Sequence, residues 1–359
     1  MQKLWMSGLL IIATTLSSTA MASNLQIYGR AHVSLDRLDD GQQYQHIALS
    51  SNASRLGFKV EHQIDERMTA FAQIEQQVNF SSGVEDEQDS VRFASRDTFV
   101  GLKGNFGQVK VGRFDSPFKA ARSPINFFAD QVGDLRNITR AYDHRFDERN
   151  PNTIEYQTPK LSNGLSAKVG LSLHDGSMLN DSDTEDNNEK SQAYDLALNY
   201  KKDKVDAALA YEKYQEDVSR GERDGIRAAL GYQLTSNLKL AGLYQYTQQT
   251  QGTGKNADAQ VYGIATEYKL TKKTTARAQV IQRDVNADDF NSTLITVGVE
   301  HSFHKNLRMY ANWASMFNDT HANLTPWSQA RSNKASSAQG VDAQGQRSSA
   351  LSLGLRYDF

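Results

Sequence analysis

Apolar and polar residues alternate with a period of two along almost the whole chain. From Leu25 to Leu35 the odd positions read Leu25, Ile27, Gly29, Ala31, Val33 and Leu35, while the even ones read Gln26, Tyr28, Arg30, His32 and Ser34. One face is uncharged and the other polar, which is the pattern of a half-buried strand. The split recurs over 165–173, 205–211, 226–232 and 293–299. At the C-terminus Leu351, Leu353, Leu355, Tyr357 and Phe359 stand opposite Ser352, Gly354, Arg356 and Asp358. Sixteen such segments can be traced, beginning near residues 25, 55, 69, 97, 108, 152, 165, 193, 204, 224, 238, 260, 274, 291, 307 and 350.

Their connections alternate between short and long. Short ones include Ile64-Asp65-Glu66, Gly104 to Gly107, Lys201-Lys202-Asp203 and Thr271-Lys272-Lys273; long ones lie around 38–52, 81–95, 113–151, 175–192, 214–223, 247–258, 284–290 and 317–348. An even antiparallel count with tight turns at one end and long loops at the other predicts an all-β fold: a 16-stranded antiparallel transmembrane barrel. Aromatics at the short-turn end, Tyr156, Tyr200, Tyr232, Tyr268, Phe303 and Phe359, fit an interfacial girdle. Phe80, Tyr211, Tyr244, Tyr246, Trp313 and Phe317 supply a less regular one at the other end.

The stretch 113–151 is too long for an ordinary connection and has no strand pattern of its own. It is dense in both signs of charge, yet its middle holds the apolar knot Ile125-Asn126-Phe127-Phe128-Ala129, so it is expected to pack against the barrel. Ser116-Pro117 is an N-cap with proline at the first helical position, which predicts a short helix before Ser123-Pro124.

Composition narrows the class. Lys3, the apolar run Leu9 to Ala13 and Ala20-Met21-Ala22 form a signal peptide over residues 1–22, so residues 23–359 are the mature barrel. Mean hydropathy is −0.62, and no later segment approaches the ~20 apolar residues of a spanning helix. Cysteine is absent, and 40 basic against 42 acidic residues leave no basic excess for nucleic acid. No G-x-S-x-G, H-E-x-x-H or P-loop occurs, so no catalytic residue is assigned and the chain is not expected to be an enzyme. His301 and His304 sit at a turn, and the acidic run 181–186 lacks the glycine and final glutamate of a calcium loop; no metal and no cofactor is expected.

Four stretches carry a resemblance: Gln26 to Ala31; Ser54-Arg55-Leu56-Gly57-Phe58-Lys59; Phe99 to Gly107 with Val111-Gly112-Arg113; and Tyr357-Asp358-Phe359. Through its mature length the chain resembles the general diffusion porins of Gram-negative outer membranes, whose third long loop folds into the lumen and narrows it. The resemblance implies a homotrimer in outer-membrane lipid and lipopolysaccharide, with Phe359 read by the barrel-assembly machinery. It implies a basic constriction wall of Arg30, Arg55, Arg96 and Arg149, and facing loop acids Asp130 and Asp134. Parity independently turns Arg30 and Arg55 inward. The Pro-Glu-Phe-Gly-Gly run of enterobacterial members is missing, and Ser123 to Phe128 stands nearby. The function so implied is passive diffusion of small hydrophilic solutes and ions through a water-filled channel. Two alternatives stay open: a sugar-selective channel, for which Tyr28 and Phe71 face inward, and a surface adhesin or receptor using loops such as 317–348.

Overall fold

The structure, a computed structural model, describes residues 24–81, 96–140, 146–173, 192–215, 222–249, 258–327 and 341–359. The expected signal peptide, the acidic run 181–186 and several external loops lie outside the described residues. Seventeen strand segments form one sheet: β1 Asn24–Asp39, β2 Gln45–Ser51, β3 Arg55–Gln63, β4 Met68–Gln77, β5 Thr98–Gly104, β6 Gly107–Asp115, β7 Arg149–Gln157, β8 Leu165–Ser172, β9 Ala193–Lys202, β10 Val205–Tyr214, β11 Arg223–Gln233, β12 Leu238–Gln249, β13 Asp258–Lys269, β14 Thr274–Val285, β15 Ser292–His304, β16 Leu307–Asn318 and β17 Arg347–Asp358. Two one-turn helices, α1 Pro117–Ala120 and α2 Arg136–Thr139, lie between β6 and β7.

The barrel has sixteen staves because β2 and β3 are one interrupted strand. Both pair antiparallel with β1, β2 against Val33–Asp39 and β3 against Asn24–Arg30. Between them Ala53 takes a left-handed turn at φ 53°. The barrel closes where β1 pairs β17, Arg30 opposite Asp358 through Asp39 opposite Ser349. Gly29 and Phe359 exchange both backbone hydrogen bonds, at 2.8 and 3.0 Å. The Phe359 ring lies over Gly29, and a methyl group on that glycine would meet it at 2.3 Å.

The parity reading survives in the burial pattern. Leu25, Ile27, Leu209, Ile264 and Val297 are exposed on the outside, and Tyr156, Tyr232, Tyr268, Phe303 and Phe359 at the short-turn end are likewise exposed. So much apolar surface is stable only against hydrocarbon. The closed ladder meanwhile leaves no free sheet edge in lipid.

One connection is shorter than its sequence pattern predicts. The loop expected over 38–52 is the five-residue turn 40–44, because the Asp40 carboxylate accepts the amides of Gln42 at 2.8 Å and Tyr44 at 3.1 Å. The strand therefore resumes at Gln45, with Ile47 and Leu49 facing outward. His301 and His304 do not converge: one pairs with Thr274 Oγ1 at 2.9 Å, the other receives the amide of Asn306.

The segment between β6 and β7 folds into the lumen. Its Ile125, Leu135 and Ile138 pack against Ala229, Leu243, Val261, Ile281, Leu294 and Met316, which point inward from β11 to β16. Phe118, Ala121 and Phe146 rest on an alanine shelf, Ala193, Ala197, Ala208 and Ala210. An apolar lumen face of this size would be unstable in water. Burying it under the loop supplies the packing that holds the loop inward.

Candidate functional site

Local chemistry sets the loop's path. Ser116 caps α1, its Oγ accepting the Lys119 amide at 3.1 Å, with Pro117 at the first helical position as the sequence predicted. Farther on, Asp134 accepts the amide of Asp130 at 2.7 Å and that of Arg136 at 2.8 Å. This tight turn leaves Asp130 at φ 60° and swings its side chain out of the loop. Gly133, at φ 79°, passes so close to Thr296 that any side chain there would collide with it.

The loop is clamped where α1 meets the strands. Arg227 and Asp147 are both fully buried and form a bidentate pair at 2.5 and 3.2 Å. Arg227 also donates to the Phe118 carbonyl at 2.9 Å and to Gln245, and its guanidinium lies 4.2 Å from the Phe118 ring centre. Burial raises the Asp147 carboxyl, but Arg227 and then Arg122 outweigh it and hold it below the usual range.

Opposite the loop, all four arginines expected on the wall come together. Arg30 donates to Asp358 at 2.7 Å and to Asp130 at 3.3 Å. Arg55 lies 3.5 Å from Glu75 and 3.8 Å from Asp130. Arg96 donates to Glu75 at 2.5 Å, and Arg149 binds Asp97 and, at 2.9 Å, Asp115. Arg149 opens β7 rather than preceding it. Burial raises the Asp130 carboxyl, yet Arg55 and Arg30 prevail and hold it low, so it stays ionised.

Asp134 departs from expectation. It is 1% exposed and is spent on the loop's own turn, where burial pushes its carboxyl up against the pull of Arg122 and Arg136. The loop thus presents Asp130 to the wall and keeps Asp134 inside. Residues not anticipated include Glu75, Asp97, Asp115, Lys119, Arg122 and Arg136, which join Arg55, Arg96, Arg149 and Asp130 around a cavity of about 390 Å³. Glu75 was legible in principle: it shares the inward parity of Phe71, Gln73 and Gln77, and lies across from Gly57 beside Arg55. The loop residues carried no such register.

A family model described as Gram-negative porin matches residues 8–321. The chain belongs to that family. As a porin it forms a water-filled channel for passive diffusion across the outer membrane. The major outer membrane protein P.IB of Neisseria meningitidis serogroup B is 23% identical over 339 residues, covering 82% of this chain and 99% of that protein. Among solved structures, the anion-selective porin from Comamonas acidovorans superposes with a TM-score of 0.77 at 22% identity, covering 94% of this chain and all of that one. Salmonella typhi OmpF, in a complex with daunomycin, follows with a TM-score of 0.71 at 17% identity, covering 93% and 97%.

Proposed function

We propose that this porin conducts small hydrophilic anions in preference to cations, and that Arg30, Arg55, Arg96, Arg149 and Asp130 set that preference at the narrowest point. One observation carries the reading. Six cationic and four acidic side chains surround the cavity between loop and wall, and Arg30, itself bound to Asp358, stands beside Asp130. Each of the four acids is already bound by a cation: Asp130 by Arg30 and Arg55, Glu75 by Arg96, and Asp97 and Asp115 by Arg149. The lining of the cavity therefore carries a formal excess of two positive charges, while Asp134, Asp147 and Asp358 stand behind it beside Arg136, Arg122 and Arg30. The similarity to a porin named as anion-selective supports the same sign.

The test is the zero-current potential of single channels in a salt gradient. Removing one unit charge ~7 Å from the ion path at an effective dielectric constant of ~80 changes the local ion energy by ~0.6 kcal/mol, about threefold in occupancy. Arg55→Gln should move the potential toward cations and Asp130→Asn toward anions. Both shifts should grow in dilute salt, as the Debye length rises from ~10 Å at 0.1 M to ~30 Å at 0.01 M. Burial pushes the Lys119 ammonium down to about 8 despite Asp115 beside it. Raising the pH from 7 to 9 should therefore weaken anion preference, and Lys119→Arg should remove that dependence, because arginine keeps its charge. A potential that ignores Arg55→Gln, with conductance unchanged, would refute the assignment.

The sugar-selective alternative is not favoured. The Tyr28 hydroxyl is held by Glu75 at 2.9 Å with Lys59 4.5 Å from its ring centre, and Phe71 is buried edge-on against Phe99. With Phe71 buried, these two rings do not make a row of exposed aromatic faces along the lumen. We also carry over from the family a cleaved signal peptide over residues 1–22, a homotrimer, and Phe359 as the residue read during barrel assembly. The outward Ala31 and Leu353 at the β1–β17 seam fit a subunit contact, whereas Gly29 already seats Phe359. One gel tests the last two: unheated extracts should run as a trimer, and deleting Phe359 should reduce the inserted protein.

A further inference from the structure

We infer that Pro326 and Trp327, in the last external loop, are positioning residues for the constriction: they hold the third loop so that Asp130 faces Arg30 and Arg55. The inference rests on the reading of Asp130 given above. It starts from Gly133, three residues after Asp130, whose two backbone groups are taken from opposite sides. The barrel wall takes the carbonyl, through Gln279 Nε2 at 2.6 Å. The last loop takes the amide, through the carbonyl of Pro326 at 2.7 Å. The same carbonyl accepts Asn137 Nδ2 at 2.7 Å, so one proline oxygen bridges both flanks of the Asp134 turn.

Trp327 adds apolar contact at the same place. It is completely buried in a cluster with Val132 of the third loop, Leu38 and Ala350 of the wall, and Tyr44 of the first turn. A side chain this large, so far inside a lumen that otherwise admits water, buries on the order of 200 Å². The described flanks of the last loop are tied to the barrel rim. On one side Asn318 receives the Leu324 amide at 3.2 Å and donates to the Leu324 carbonyl at 2.9 Å. On the other, the Asp342 amide donates to Asp40 at 3.0 Å. The Pro326-Trp327 pair is thereby pressed onto the third loop from the outside, while Gln279 and Thr296 support it from within.

The consequence is directional. Loosening this contact frees the turn that aims Asp130, withdrawing a negative charge from between the arginines and opening the passage. Single-channel conductance and zero-current potential should be compared for wild type, Trp327→Ala, Trp327→Phe and Asn137→Ala, with trimer yield as the control. Trp327→Ala is expected to raise conductance and to move the potential toward anions, by no more than Asp130→Asn does. Trp327→Phe should restore wild-type values, and Asn137→Ala should act in the same direction with a smaller shift. Wild-type conductance and potential in Trp327→Ala would overturn the proposal. If that variant fails to insert, wild-type behaviour of Asn137→Ala overturns it instead. A rise in conductance with no change in potential, with Asp130→Asn equally silent, would support the positioning role and refute the reading of Asp130.

Discussion

Arg227→Ala is expected to undock the third loop while leaving the barrel closed. Removing Arg227 leaves the fully buried Asp147 with Arg122 alone, 3.2 Å away, and breaking a buried ion pair in this way costs up to ~3–5 kcal/mol. That equals roughly two to four orders of magnitude in the ratio of docked to undocked loop, at 1.4 kcal/mol per tenfold. The strand ladder does not depend on the pair, so the loss should appear as higher, noisier conductance and as protease cleavage within 113–151. The double variant Arg227→Met with Asp147→Leu removes both charges and should be milder than either single change. Equal damage from all three variants would mean that the electrostatic clamp does not hold the loop. The pH dependence has a definite sign. Because the folded-state Asp147 carboxyl is held below its ordinary value, its contribution to docking is present above an unfolded pKa of ~3.9 and is lost as pH falls through the folded value.

The second large effect concerns the outer face. Arginine in place of Leu209 or Val297 should sharply reduce insertion, since a cation at the bilayer midplane of a barrel costs ~2–4 kcal/mol. Asp206, on the opposite face beside Lys201 at 2.9 Å, should accept the same change with little loss of assembled protein. Equal losses at all three sites, measured as heat-modifiable protein in membranes, would contradict the assignment of faces. Parity alone would have offered Thr296 as another permissive inward site. The structure removes it from that set, because Thr296 is fully buried beneath Gly133.

Thr296 illustrates which parts of the molecule the sequence could disclose. Strand positions and the facing of Arg30 and Arg55 follow from a period of two, which depends on neighbouring residues only, and most strands begin within a few residues of their expected starts. The course of the third loop depends on contacts between distant segments. A trace of it was nevertheless present: Val280-Ile281 and Leu294-Ile295 are apolar on both faces, although a strand lining a bare aqueous lumen should be polar on one. That excess marks where Ile125, Leu135 and Ile138 lie. Asp134 could not be told from Asp130 because both are acids in one turn, separated only by backbone geometry. The grip of Pro326 on Gly133 left no mark in either segment.

The seam at Gly29 and Phe359 bears on how the chain reaches its folded state. Arg30 and Asp358, bonded across it, are 328 positions apart, so the stave that begins the barrel stays unpaired on one side until β17 has been made. Such a chain has high contact order and cannot complete its fold piecemeal as it emerges from the ribosome. Until closure, β1 offers an open edge to any other extended segment, with the associated hazard of aggregation. The nascent polypeptide must therefore be kept extended and soluble until β17 arrives, and the loss of even a few residues of β17 should be more damaging than a deletion of similar length in an external loop.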